Sequence, residues 1–136
     1  MTNHELIERW EQVERVLVDM PQHDREKHFD MDIWGMKTAC GTIACAAGHC
    51  GLDPWFRERG FALDFIPCDC EMCRGKPPEY RFRHSLPSVS GFFGKTGTEK
   101  IFHNYSQRPV ETVIAEVREY IAELRSAPSA GEGGTR

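Results

Sequence analysis

The 136-residue sequence predicts a small α+β domain with two amphipathic terminal helices, a central small-residue helix and a short-stranded sheet. Three observations lead there. Apolar residues recur at helical spacing near both ends; they alternate with polar ones over short stretches in the middle; and residues 38–52 are dominated by glycine, alanine and cysteine. A chain of this length can bury a core without covalent help, so we expect one domain over residues 1–125. The last stretch, "SAPSAGEGGTR" at 126–136, is small, polar and glycine-rich, and is expected to be a flexible tail.

At the start, Thr2 and Glu5 have the spacing of a capping box, and Leu6, Ile7, Trp10, Val13, Val16, Leu17 and Met20 then draw an apolar stripe that Pro21 ends. Near the other end, Pro109 suits a first helical turn, and Val110, Val113, Ile114, Val117, Tyr120, Ile121 and Leu124 repeat the pattern. Between them, "HFDMDIWG" alternates Phe29, Met31 and Ile33 with aspartates and predicts a strand. "GFALDFIP" predicts a second strand and "EYRFRH" a weaker third. Asp53 and Pro54 open a short helix that Gly60 stops. "SVSGFFG" and "GTEKIFHN" read as further helical turns, the second capped by Thr98, with "GKTGT" as the turn between them. Trp10, Trp34, Trp55, Phe92, Phe93 and Phe102 each fall on an apolar face and are expected in the core.

The formal charge of −4, from 17 basic and 21 acidic residues, and the lack of a basic block argue against nucleic acid as a partner. No window approaches the length of a membrane span, and the first residues are charged rather than apolar, so a soluble cytoplasmic protein without membrane contact is expected. In a reducing compartment the six cysteines are expected as ligands, buried thiols or reactive groups rather than disulfides.

The most specific motif is "PCDCEMCRGK". Cys70 and Cys73 form a C-x-x-C, Cys68 adds a third thiol two residues earlier, and Gly75 is placed to relieve crowding after the last. Three cysteines in six residues outside any apolar periodic run predict a metal site, with Zn²⁺ favoured by a thiolate and imidazole donor set. A structural zinc needs four donors. His49 is the expected fourth ligand, with His84 and Cys45 as alternatives. Were water the fourth, Asp69 or Glu71 would be the nearby base of a hydrolytic site. H-E-x-x-H and the deaminase pattern are absent.

"CGTIACAAGHC" at 40–50 admits a packing reading and a chemical one. Small side chains let a helix approach its neighbours closely, and cysteine is often simply buried. As chemistry, Cys45 and His49 stand four apart and would share one helical face, while Cys40, just before the predicted helix, is a candidate nucleophile with His49 or His103 as base.

Through "FDMDIWG", "CGTIACAAGH" and the stretch from "FFG" to "IFHN", the chain resembles a group of small phage and bacterial proteins that carry a C-G-T-x-A-C-x-A-G motif followed by His or Trp. The resemblance covers roughly residues 29–121 and implies a shared fold and no chemistry. Because Trp replaces His at the position matching His49, it favours packing over ligation there. The expected function is a non-enzymatic binding or interaction protein, phage-related and with an unidentified protein partner, built around a structural zinc. The alternative is a hydrolase that uses Cys40 with a histidine, or a three-ligand zinc.

Overall fold

The computed structural model describes residues 1–38, 41–103 and 106–126. The chain begins with α1 (Asn3–Val18), started by the expected capping box: the Glu5 N–H donates to the Thr2 hydroxyl, and the Thr2 N–H to the Glu5 carboxylate, each at 3.0 Å. A short α2 (Gln22–Lys27) follows.

The segment expected to be the first strand is not one. Phe29 makes a single parallel bridge to Ala44, and residues 31–32 are a turn. The Asp30 carboxylate accepts the Asp32 N–H at 2.9 Å, and the Asp30 carbonyl accepts the Ile33 N–H at 3.1 Å. Local capture of the backbone by an aspartate thus wins over the two-residue alternation.

The central small-residue helix is also replaced. β1 (Met36–Thr38) and β2 (Gly41–Ile43) pair antiparallel, and only α3 (Ala46–Cys50) is helical. Gly41, at φ +133°, adopts a backbone conformation closed to most side chains, and β-branched Thr42 and Ile43 suit the strand that follows. Small size had suggested helix, but it serves a close approach of short elements.

α4 (Pro54–Glu58) is capped as expected, with the Asp53 carboxylate accepting the Trp55 N–H at 3.1 Å. β3 (Asp64–Pro67) and β4 (Phe82–Ser85) pair antiparallel, so the second and third expected strands form one hairpin, with α5 (Glu71–Arg74) and a 3₁₀ turn at Pro78–Tyr80 in its loop. α6 (Val89–Phe93) ends at Gly94, whose φ of +85° makes the break before α7 (Lys95–Gly97) and a π turn at Thr98–Phe102. Thr98 is therefore not an N-cap but closes α7; it is buried, and its hydroxyl donates to the Val89 carbonyl at 3.5 Å. The last element, α8 (Val110–Ser126), carries Ser126 inside its final turn, one residue beyond the expected tail boundary; residues 127–136 lie outside the described residues.

These elements make an α+β fold in which α8 runs antiparallel along α1, tied by Asn3 to the Leu124 carbonyl (3.1 Å), Arg118 to Glu14 (2.6 Å) and Arg125 to Glu11. The two apolar stripes meet around Trp10, which is fully buried and rings Phe93, Phe102 and Tyr120 about itself. Burying an indole contributes roughly 4–6 kcal/mol of transfer free energy before entropy is subtracted. Its N–H is satisfied by the Phe93 carbonyl at 3.0 Å. Trp34, Trp55 and Phe92 differ from the expectation in being only partly buried; the Arg59 guanidinium covers Trp55 at 3.7 Å and Arg9 covers Phe92 at 4.0 Å. β1 packs against β4, and Lys37 lies over the Phe82 ring at 4.5 Å. The β3–β4 hairpin is thereby covered on the Phe65 and Phe82 face.

Candidate metal centre

The loop between β3 and β4 begins where Pro67 stands opposite Phe82, and the pairing continues one bond further: the Cys68 N–H donates to the Arg81 carbonyl at 2.9 Å. Cys70 then starts the single turn of α5, closed by the Arg74 N–H on the Cys70 carbonyl (2.9 Å) and the Lys76 N–H on the Cys73 carbonyl (3.0 Å). The Arg81 Nε donates back to the Lys76 carbonyl at 2.9 Å, which ties the returning arm to the knuckle.

This turn folds the three thiols together. The sulfurs of Cys68, Cys70 and Cys73 all lie within 4.8 Å of one another, and among the described residues no other His, Cys, Asp or Glu joins them at that spacing. Tetrahedral Zn²⁺ with bonds of about 2.3 Å holds its sulfurs roughly 3.8 Å apart, so a small closure brings all three onto one ion. Cys73 is buried, and its thiol donates to the Phe82 carbonyl at 3.9 Å; Cys68 is half-buried and Cys70 exposed.

The electrostatics favour one early thiolate. Cys70 is lowered to about 7, first by the backbone N–H of Cys73 and then by the thiols of Cys68 and Cys73. Cys73 is raised to about 11, first by its hydrogen bond with Cys70 and next by desolvation. A second anion beside the first is opposed until a cation neutralises both.

Gly75 does not have the expected part. It is helical in backbone, and a Cβ there would meet only the Met72 carbonyl oxygen, at 3.7 Å. The knuckle needs no glycine at that point.

None of the expected fourth ligands reaches the cluster. His49 lies in α3, with Nε2 at 2.7 Å from the His28 carbonyl and its ring stacked on Phe29. Burial lowers its pKa. Nε2–H therefore donates to a carbonyl and the ring is occupied by packing. His84 is exposed in β4 opposite Phe65, three ladder steps (about 10 Å) from the Cys68–Arg81 level and on the other pleat face from Cys68. Cys45 is not on a helix with His49 but caps α3 from outside; it is buried, and burial pushes its thiol up to about 11.

The remaining candidates are dispersed. Cys40 lies outside the described residues, so the proposed nucleophile has no described surroundings. His103 is exposed, with its ring edge-on to Trp34. Asp69 and Glu71 are exposed beside the thiols. Cys50 is wholly buried, its thiol pushed well up by desolvation, and serves as core.

Sequence reasoning missed Met72 and Ile66. Met72 is 81% exposed and Ile66 39%, both beside the thiols. An apolar residue inside an otherwise polar "CEMC" was the available signal for the first. Compared with protein-family models, curated proteins and solved structures, the chain finds no match in any of the three. No helix among the described residues is long and apolar enough to cross a membrane.

Proposed function

We propose that this protein is a non-enzymatic binding module whose β3–β4 loop is held by a structural zinc ion on Cys68, Cys70 and Cys73. The convergence of those three sulfurs within 4.8 Å carries the reading. Thiolate donors at this spacing suit Zn²⁺, and the loop around them buries too little apolar surface to hold its shape by packing alone: Cys73 is its one buried residue between positions 68 and 81. A reducing, cytoplasmic setting would keep the thiols available as ligands.

The hydrolytic alternative is weaker on electrostatic grounds. Three thiolates leave the complex with Zn²⁺ anionic, so a bound water keeps its proton at neutral pH more firmly than in a neutral-ligand site. The resemblance of "CGTIACAAGH" to small phage and bacterial proteins supports a host protein as the class of partner.

The test is metal analysis of the purified, reduced chain with native mass before and after chelation, alongside iodoacetamide labelling at neutral pH. One tightly held zinc per chain, lost with C73S, is expected. A metal-free protein, or rapid and selective alkylation of Cys40, would replace this reading with the thiol-enzyme one.

A further inference from the structure

We propose that the three-thiol site is half of a binuclear centre, completed when a second copy of this chain brings its own Cys68, Cys70 and Cys73 face to face with the first. The proposal rests on the zinc reading above and adds a partner to it.

A structural Zn²⁺ site takes four donors, and the described residues bring only three together. Two such sites hold six sulfurs. Two zinc ions sharing six thiolates each reach four-coordination when one thiolate from either chain bridges both ions. The charge then stands at six negative against four positive, and the thiol protons are released to solvent as the metals bind.

The geometry selects Cys70 as the bridging residue. Cys73 is buried and engages the Phe82 carbonyl, and Cys68 is tied by its backbone to Arg81, whereas Cys70 is the exposed member at the tip of the knuckle. A two-fold axis through the two knuckles makes the contact isologous, so each Cys70 reaches the other chain's ion.

The surroundings fit a second copy. Ile66 and Cys68, two residues apart, share the pleat face opposite the one that carries Phe65 and Phe82, which lie under Lys37. Ile66 and Met72 are exposed apolar side chains that a symmetric contact would bury. Residues 64–84 carry four acidic and four basic side chains, so two copies of this hairpin meet without net repulsion. The patch is small beside the roughly 1,200–2,000 Å² of a stable interface, so metal–sulfur bonds, rather than area, must hold the pair.

The experiment uses the full chain, reduced, stripped by chelator and reloaded with one equivalent of Zn²⁺, followed by sedimentation velocity and native mass spectrometry. A dimer holding two zinc ions, returning to monomer on chelation, is expected. C70S should remain monomeric at the same concentration. M72E, whose side chain supplies no ligand, should weaken association by about tenfold or more with unchanged circular dichroism and one zinc still held per chain. A stable monomer with one zinc overturns the proposal, and loss of that zinc in C40S would assign the fourth donor to Cys40 instead. A dimer that survives chelation also overturns it. Failure to take up any zinc defeats the underlying metal reading, an outcome distinct from a zinc-loaded monomer.

Discussion

Gly48 sits against Trp34 so closely that a Cβ on Gly48 would lie 2.0 Å from the Trp34 carbonyl oxygen and 2.7 Å from the Ala44 Cβ. The backbone of α3 therefore rests on the chain before β1, and neither neighbour can yield cheaply because the nearer one is main chain. G48A is expected to destabilise the fold by about 3 kcal/mol or more. G75A, with room for its methyl group, should change stability by less than about 0.5 kcal/mol. Paired urea melts of the two variants check this, and equal midpoints would contradict it.

In the metal-free chain the Cys70 thiol is lowered to about 7 and is open to solvent. The thiolate is the reactive form, so its alkylation should be slow on the acid side of about pH 7 and fast above it. Cys45 and Cys50, buried and raised, should stay unlabelled in the folded protein at neutral pH. Peptide mapping after iodoacetamide pulses gives the order, and zinc loading should suppress Cys70 labelling.

Removing the proposed zinc should loosen one part of the molecule only. The β3–β4 ladder and the knuckle amides, including the Cys68 N–H on Arg81, should lose hydrogen-exchange protection on chelation, while the α1–α8 pair around Trp10 keeps it. Protection lost uniformly across both regions would mean that the metal supports the whole fold.

His49 is held neutral by burial, the largest influence on it, against the opposing pull of the His28 carbonyl and Asp24. Its folded pKa is lowered from 6.5, so between that lowered value and 6.5 the unfolded chain binds the extra proton. Stability from this group is full above pH 6.5 and declines as pH falls through that value toward the folded pKa. Melting temperatures across this range should slope less in H49N than in the parent chain. A slope unchanged by the substitution would remove His49 as its source.

The local signals written in consecutive residues were legible without coordinates. The Thr2 and Glu5 capping box, the apolar spacing within α1 and within α8, the Asp53 cap and the convergence of Cys68, Cys70 and Cys73 all depend on near neighbours, whose distances the covalent chain restricts. Where two local signals competed, the reading failed. Alternation at Phe29, Met31 and Ile33 lost to the Asp30 turn, and small residues that suggested a helix over 38–52 became a hairpin at Gly41 and one turn of α3.

What surrounds each side chain was decided only by the tertiary structure. The sequence offers His49 as a fourth ligand because it would tie the two cysteine clusters together, yet its partner is the carbonyl of His28, twenty-one residues away, and its stacking ring is Phe29. His84 follows Cys73 closely in sequence but stands on a strand whose pleat turns it from the thiols. Short-range order follows from bond geometry and side-chain spacing, whereas ligation and burial depend on which distant segments packing brings together.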